Sequence, residues 1–287
     1  MPFKAYEIYK EYEPDKYKTS TEKKVERVLE QAKKEGIKPP SAEEITARNP
    51  EGHEITFNLE QIKQHWIDFY NNHDLKEIAE ELENTEITLT DEQIQTIQEK
   101  AEDKESSFNE FILLPSIELQ NQYLARIKEQ TEKPIKDLED KQQYSKEGTY
   151  LSDTVKPEFP QNIKNLNRPQ NKPYLLFLQN SPEVPNQTLN QTPDQLRKTL
   201  KQRNETGLTL SEYLIFQRNY AENHLKENQP HPDTQYWTWL LDSGLASSGV
   251  LRSSWAPGGR QVRVYSYASG YCYGSLGCRS SAILEIS

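Results

Sequence analysis

The last part of the chain, residues 250–281, differs in composition from everything before it, because Tyr, Ser and Gly replace the earlier Lys and Glu. Within this part, Val262 and Val264 alternate with polar or aromatic residues, namely Gln261, Arg263, Tyr265 and Tyr267. A period of two is typical of a strand with one buried face, since successive side chains point to opposite sides. The alternation therefore predicts a terminal strand that buries valine and exposes arginine and tyrosine.

Residues 19–126 carry helical patterns, in which apolar side chains recur at spacings of three and four. Capping boxes are predicted at Thr19 with Glu22 and at Ser41 with Glu44. Apolar stripes predict helices in four stretches, which are residues 25–32, 59–70, 75–82 and 94–101, and Gly36 is expected to end the first of them. The charged residues between the stripes are interpreted as solvated helix faces.

The middle of the chain, residues 141–172, is rich in Asn, Gln and Pro, which disfavour regular structure. Beyond it, Thr192 before Pro193 and Thr209 with Glu212 indicate the starts of two further helices. We therefore predict an α+β chain with three parts. These are a helical region at 1–140, an interdomain linker at 141–172, and a domain with short antiparallel strands at 173–287.

Charge and composition argue against several classes of partner. A net charge of -10 repels nucleic-acid phosphates and anionic membranes. No segment approaches the roughly 20 apolar residues of a membrane helix, and no leader is recognised, so we expect a cytoplasmic protein without membrane insertion. Cys272 and Cys278 form no disulfide framework, and the five histidines lack metal-ligand spacing. The sequence predicts no cofactor and no metal.

Three short blocks carry a resemblance to a known fold: residues 237–241 (WTWLL), 249–255 (GVLRSSW) and 276–280 (LGCRS). They resemble the closing blocks of the C-type lectin fold in formylglycine-generating-enzyme-like domains, which read R-G-G-S-W and later I-G-F-R. Arg252 and Trp255 match the first block, with one Gly missing, and Gly277 and Arg279 match the second. The resemblance implies a C-type-lectin-like domain at 173–287. We expect Arg252 and Arg279 to be buried partners of carbonyl or carboxylate groups.

Within that group, the terminal segment resembles the variable proteins of diversity-generating retroelements. In that family, error-prone reverse transcription rewrites surface codons to residues such as Tyr, Ser, Gly, Ala and Arg. The resemblance and the strand alternation together predict variable ligand-binding positions at Ala256, Pro257, Arg263, Tyr265, Tyr267, Ala268, Tyr271, Tyr273, Gly274 and Ser275. The implied function is non-catalytic binding of a protein or carbohydrate ligand.

The residue types alone indicate that the same surface binds a ligand. Tyr offers a large contact area with few rotatable bonds, while Ser and Gly provide adaptable polar contacts. An ordinary strand with exposed aromatics is the alternative interpretation. About ten residues is a small interface, so our hypothesis is that the helical region is an oligomerisation or docking module. A homo-oligomer would raise avidity, and light scattering would test it.

Two other functions are weighed against binding by a variable surface. The first is an oxidase of the formylglycine-generating type, in which a close cysteine pair binds copper. Residues 256–270 contain no cysteine where those enzymes have one, and Cys278 replaces a buried aromatic residue. The second is a structural adaptor. Calcium-dependent sugar binding is disfavoured, because Glu285 is the single acidic residue after position 243.

Overall fold

The computed structural model describes residues 44–131, 149–161, 163–224, 231–245, 249–258 and 261–286. Helices and strands are mixed along these residues, so the predicted α+β class is confirmed at that level. The helices are α1 (Leu59–Asn72), α2 (Lys76–Glu83), α3 (Asp91–Glu102), α4 (Ile117–Thr131), α5 (Pro193–Gln202) and α6 (Leu210–His224). The strands are β1 (Glu44–Arg48), β2 (Glu54–Asn58), β3 (Glu110–Leu114), β4 (Thr149–Leu151), β5 (Ile163–Asn165), β6 (Tyr174–Leu178), β7 (Thr206–Gly207), β8 (Trp237–Leu245), β9 (Val250–Ala256), β10 (Gln261–Tyr267), β11 (Leu276–Cys278) and β12 (Ser280–Glu285).

Several predicted helices are confirmed. The stripes at 59–70, 75–82 and 94–101 fall in α1, α2 and α3, and α5 begins at Pro193 after a Thr192 capping box. Capping satisfies backbone N–H groups that the first helical turn leaves unpaired. Among the described residues, no helix combines the length and apolar character needed to cross a bilayer.

The prediction of a helical region at 1–140 is wrong for residues 44–58 and 110–114. Glu44 opens β1 rather than a helix, because Ile45 and Ala47 alternate with exposed residues and pair with β2 as an antiparallel hairpin. Predictions at Thr19, Glu22, Ser41 and residues 25–36 lie outside the described residues.

An antiparallel sheet joins the predicted helical region to the predicted C-terminal domain. Its order is β3-β6-β12-β7, so a strand of the N-terminal region lies beside a strand of the C-terminal region. Every residue of β6 is buried, and Phe111 of β3 stacks on Phe177 with ring centroids 4.4 Å apart. The two regions therefore share one core.

The expected linker also differs from the structure where it is described. β4 and β5 are short strands of the second sheet, and Val155 and Phe159 between them are fully buried. Arg168 is buried as well, and it forms ion pairs with Glu212 at 2.5 Å and Asp242 at 2.8 Å. Short strands, turns and buried side chains thus occupy a stretch whose proline content indicated a linker.

The second sheet, which carries the terminal strands, has the order β11-β8-β9-β10-β4, with β5 beside β8. β9 and β10 are antiparallel, with Arg252 opposite Tyr265 and Ser253 opposite Val264. β4 and β11 run parallel to β10 and β8, which corrects the prediction of antiparallel strands alone. This register decides which side chains share a side of the sheet.

The two sides of this second sheet are covered differently. One side packs into the main core through residues such as Leu251, Val262 and Val264. The other side is covered over part of its area by α5, in a second core of Leu196, Leu200, Trp239, Leu241, Val250, Leu276 and Cys278. Beyond this second core, side chains on the same side are only partly buried.

Candidate functional site

The partly exposed side of the second sheet gathers aromatic and cationic side chains. We call it the open face and define it by Tyr150 of β4, Trp237 of β8, Arg252 of β9, and Arg263, Tyr265 and Tyr267 of β10. Val262 is 1 % exposed and Val264 is fully buried, whereas the β10 residues between and after them are partly exposed. The predicted alternation of buried valine with outward arginine and tyrosine is confirmed.

Arg252 lies at the centre of the open face. Its Cζ atom is 4.2 Å from the ring centroid of Trp237 and 4.0 Å from that of Tyr267. The Tyr265 ring contacts Trp237 edge-on at 5.4 Å and Tyr150 at 5.9 Å. The rings form a continuous row from β8 to β4, and a guanidinium held over aromatic rings gains cation–π attraction.

The loop between β10 and β11, residues 268–275, extends this row. Tyr271 contacts Tyr267 at 4.9 Å and is parallel to Tyr273 at 6.4 Å. Only three large apolar side chains in the described part of the chain are exposed, which are Leu166 at 39 %, Tyr271 at 39 % and Tyr273 at 61 %. Two of the three lie in this loop, next to the open face.

The other predicted site residues fall into two groups. Ala268 and Gly274 are exposed and Ser275 is partly exposed, all in the loop that carries Tyr271. Ala256 and Pro257 are also accessible, but they lie at the opposite end of the β9–β10 pair. Ala256 is four residues along β9 from Arg252, about 13 Å at the rise of an extended strand. The structure thus brings the tyrosines together, whereas Ala256 and Pro257 lie at the other end of the strand pair, with Ala256 opposite Gln261 and Arg263 opposite Ser254.

Three residues of the open face were missed by the sequence analysis. Arg252 was expected to pair with a carbonyl or carboxylate, yet its Nε atom is buried without a hydrogen-bond partner, and it forms no ion pair with any described residue. Trp237 and Tyr150 reach the face only through the pairing of β8 with β9 and of β4 with β10. Alternation along GVLRSSW, with Leu251 and Ser253 inward, was the signal that Arg252 points outward.

Arg279 has the structural role that was expected of it. Its guanidinium forms a two-point ion pair with Asp233, with Nη2 to Oδ1 at 2.8 Å and Nε to Oδ2 at 3.1 Å. The same carboxylate accepts hydrogen bonds from Tyr213 of α6 and Thr238 of β8, and the Asp233 carbonyl accepts from the Trp255 amide. This buried cluster ties β8, β9 and α6 together beneath the open face.

His231 packs flat on Trp255, with ring centroids 3.7 Å apart and planes at 13°. Burial lowers the pKa of His231 from 6.5 to about 4. Between pH 4 and pH 6.5 the imidazole is protonated in the unfolded chain but neutral in the folded protein. The contribution of His231 to the free energy of unfolding is therefore complete above pH 6.5 and is lost as pH falls toward 4. Because the ring is partly solvated, we expect a loss of about 1 kcal/mol near pH 5.

The variant His231→Phe should keep the stacking and remove the titration. We expect the two proteins to have similar free energies of unfolding near neutral pH, and wild type to fall below the variant by about 1 kcal/mol near pH 5. Urea denaturation of both proteins at each pH measures it, and other titrating groups cancel in the difference. A difference that stays constant with pH would contradict a neutral His231 in the folded protein.

The two cysteines lie in different environments. Cys272 is exposed in the loop, whereas Cys278 is fully buried in the second core, where desolvation raises the pKa of its thiol. Among the described residues, no group of three His, Cys, Asp or Glu side chains is placed to hold a metal ion. A thiol held in its protonated form is a poor nucleophile and metal ligand.

A groove of about 530 Å³ lies elsewhere, between α3 and β12. Glu205 lines it, but the Oε1 atom of this carboxylate accepts hydrogen bonds from Lys100, Ser106 and Arg203. Its charge is already compensated within the fold. The open face, where a guanidinium has no such compensation, is the stronger candidate for a functional site.

The chain was compared with protein-family models, with curated proteins and with solved structures, and none of the three comparisons found a match.

Proposed function

We propose that the protein is a non-catalytic ligand-binding protein whose open face and adjoining tyrosine loop contact a protein or carbohydrate partner. We further propose that residues 173–287 form a C-type-lectin-like domain and that a retroelement diversifies this surface. The observation that carries the proposal is the difference between the two sides of strand β10. Within one strand, valines are buried while arginine and tyrosines are presented outward.

The chemistry of the surface supports binding. Contiguous exposed aromatic side chains are unfavourable on a monomer unless a partner covers them. Tyr and Arg are enriched among residues that dominate binding energy, because they bury a large area and still form polar contacts. Tyr271 and Tyr273 have this exposure, and the row of rings continues from them to Tyr150.

The buried core residues and the predicted variable positions are different residues, and this supports the proposed diversification. Trp255, Val262, Val264 and Leu276 are buried, whereas each predicted variable position is exposed or partly exposed. Replacement of an exposed side chain usually changes stability by less than about 0.5 kcal/mol. A surface of this kind tolerates many sequences while the fold beneath it stays the same.

Sequencing the coding region in many isolates tests the diversification. We expect substitutions concentrated at the ten predicted codons, and a near-copy of the segment that differs mainly at adenines beside a reverse-transcriptase gene. The codons of Val262 and Val264 are the internal control, because they alternate with variable positions in the same strand. Variation spread evenly over both sets would contradict the proposal.

A protein-level test uses peptides selected against the wild type from a random displayed library, because such peptides favour an existing binding surface. We expect Tyr271→Ala to weaken most of them by about tenfold and to change the free energy of unfolding by less than about 0.5 kcal/mol. Leu166→Ala is the matched control, since both side chains are 39 % exposed. Equal effects of the two variants on affinity would count against the open face.

A further inference from the structure

We propose that Arg252 is the anion-binding centre of the open face, and that the partner is a protein that presents an acidic segment to it. This inference rests on the proposed function, because it assigns the ligand chemistry of the same surface. The guanidinium edge would bind a carboxylate of the partner while the surrounding tyrosines contact the neighbouring residues.

The geometry around Arg252 leaves its hydrogen-bonding capacity unused. Trp237 and Tyr267 contact the guanidinium at 4.2 Å and 4.0 Å, and rings accept no strong hydrogen bond. The Nε atom is buried without an acceptor. Among the described residues, Arg168, Arg203 and Arg279 pair with carboxylates, whereas Arg252 does not. The side chain as a whole is partly exposed, so the Nη donors, which bond to no described residue, are those that a ligand carboxylate can reach.

The surroundings of Arg252 are short of acceptors. Trp239 lies opposite Arg252 in the β8–β9 register, and its indole N–H is also buried without a partner. Arg263 adds a second guanidinium to the face, and Glu285 is the only acidic residue after position 243. Desolvation lowers the pKa of Arg252, since no carboxylate offsets its burial. On a chain of net charge -10, this is a cationic site that favours an anion.

The kind of anion follows from the shape of the site. A planar guanidinium fork matches a carboxylate with two parallel hydrogen bonds. Nucleic acid is disfavoured, because its binding uses many phosphate contacts and the face has two arginines among its described residues. Tyrosines around a central arginine are typical of surfaces that bind proteins. These features favour an acidic protein segment.

A capped polyglutamate peptide is the test probe, with polyglutamine of the same length as the uncharged control. We expect polyglutamate to shift the side-chain Nε–Hε NMR resonance of Arg252 in the wild-type protein, and polyglutamine to leave it unchanged. Arg252→Gln should lower the affinity for polyglutamate by about tenfold, and Arg252→Lys should restore it only in part, because Lys keeps the charge but lacks the fork. Arg48→Gln, an exposed change in β1, should have no effect.

Several outcomes would overturn this inference. One is polyglutamate that leaves the Arg252 resonance in place, and another is equal affinity for wild type and Arg252→Gln. Binding of a polyuronate without binding of polyglutamate would replace the protein partner by an acidic carbohydrate. The NMR measurement uses the wild-type chain, so it decides even if Arg252→Gln does not fold.

The two proposals fail in different ways. A ligand whose affinity depends on Tyr271 but not on Arg252 would leave the binding surface standing and refute the anion centre. Polyglutamate binding that depends on Arg252 but not on Tyr265 or Tyr271 would support the anion centre and count against an extended tyrosine surface.

Discussion

Arg279→Met should lower the free energy of unfolding by about 3 to 5 kcal/mol, because it leaves the Asp233 carboxylate buried without its cation. Asp233 has no exposed surface, and Arg279 is only 2 % exposed. The hydrogen bonds from Tyr213 and Thr238 would remain, but they do not replace a two-point ion pair. Because the same aspartate holds β8 and β9, the open face should lose its shape together with stability.

Urea denaturation of wild type, Arg279→Met, Asp233→Asn and the double variant measures the coupling. We expect the double variant to be less destabilised than the sum of the two single changes, since it leaves no unpaired charge in the core. Lys172→Met is the control, because the ion pair of Lys172 with Glu285 is exposed at both ends. Strictly additive single effects would show that Arg279 and Asp233 do not act as a pair.

The Asp233 cluster is separate from the surface that we propose to vary. Asp233 receives contacts from α6, β8, β9 and the segment after β11, all on the far side of the open-face side chains. The tyrosines at 271 and 273 take no part in it. Stability is therefore carried by residues other than those that we propose to bind the ligand, which is the arrangement that the proposed diversification requires.

Local pattern was enough to predict several elements. A period of two placed Val262 and Val264 inward, and capping chemistry placed the starts of α5 and α6, because both depend on residues close in sequence. The same approach failed at β1 and β3, where pairing with other strands decided the conformation. Short apolar runs such as residues 110–114 have no periodicity that separates strand from helix.

The central residue of the candidate site could be identified only from the three-dimensional structure. Arg252 resembled a buried structural arginine because the motif around it matches a block of that type, and only the β8–β9–β10 register shows rings on both sides of it. Trp237 and Tyr150 are distant in sequence from Tyr265, so no local pattern could join them. Arg279 was predicted correctly from its motif, although its partner Asp233 was not.

Val264→Asp should lower the free energy of unfolding by about 4 kcal/mol or more, because it places a carboxyl group in an apolar core without a partner. Val264 is fully buried and lies among the residues of the main core. Arg263→Asp introduces the same side chain at the preceding residue. Arg263 is partly exposed on the open face, so we expect a change within about 0.5 kcal/mol.

Denaturation midpoints of the two variants, with unchanged m-values, test the sidedness of β10 without any ligand. The pair is matched in sequence position, strand and introduced residue, and differs in the side of the sheet that the side chain occupies. Similar losses for both would mean that each side of β10 is core. That result would remove the basis of the open face, since Tyr265 and Tyr267 share the side of Arg263.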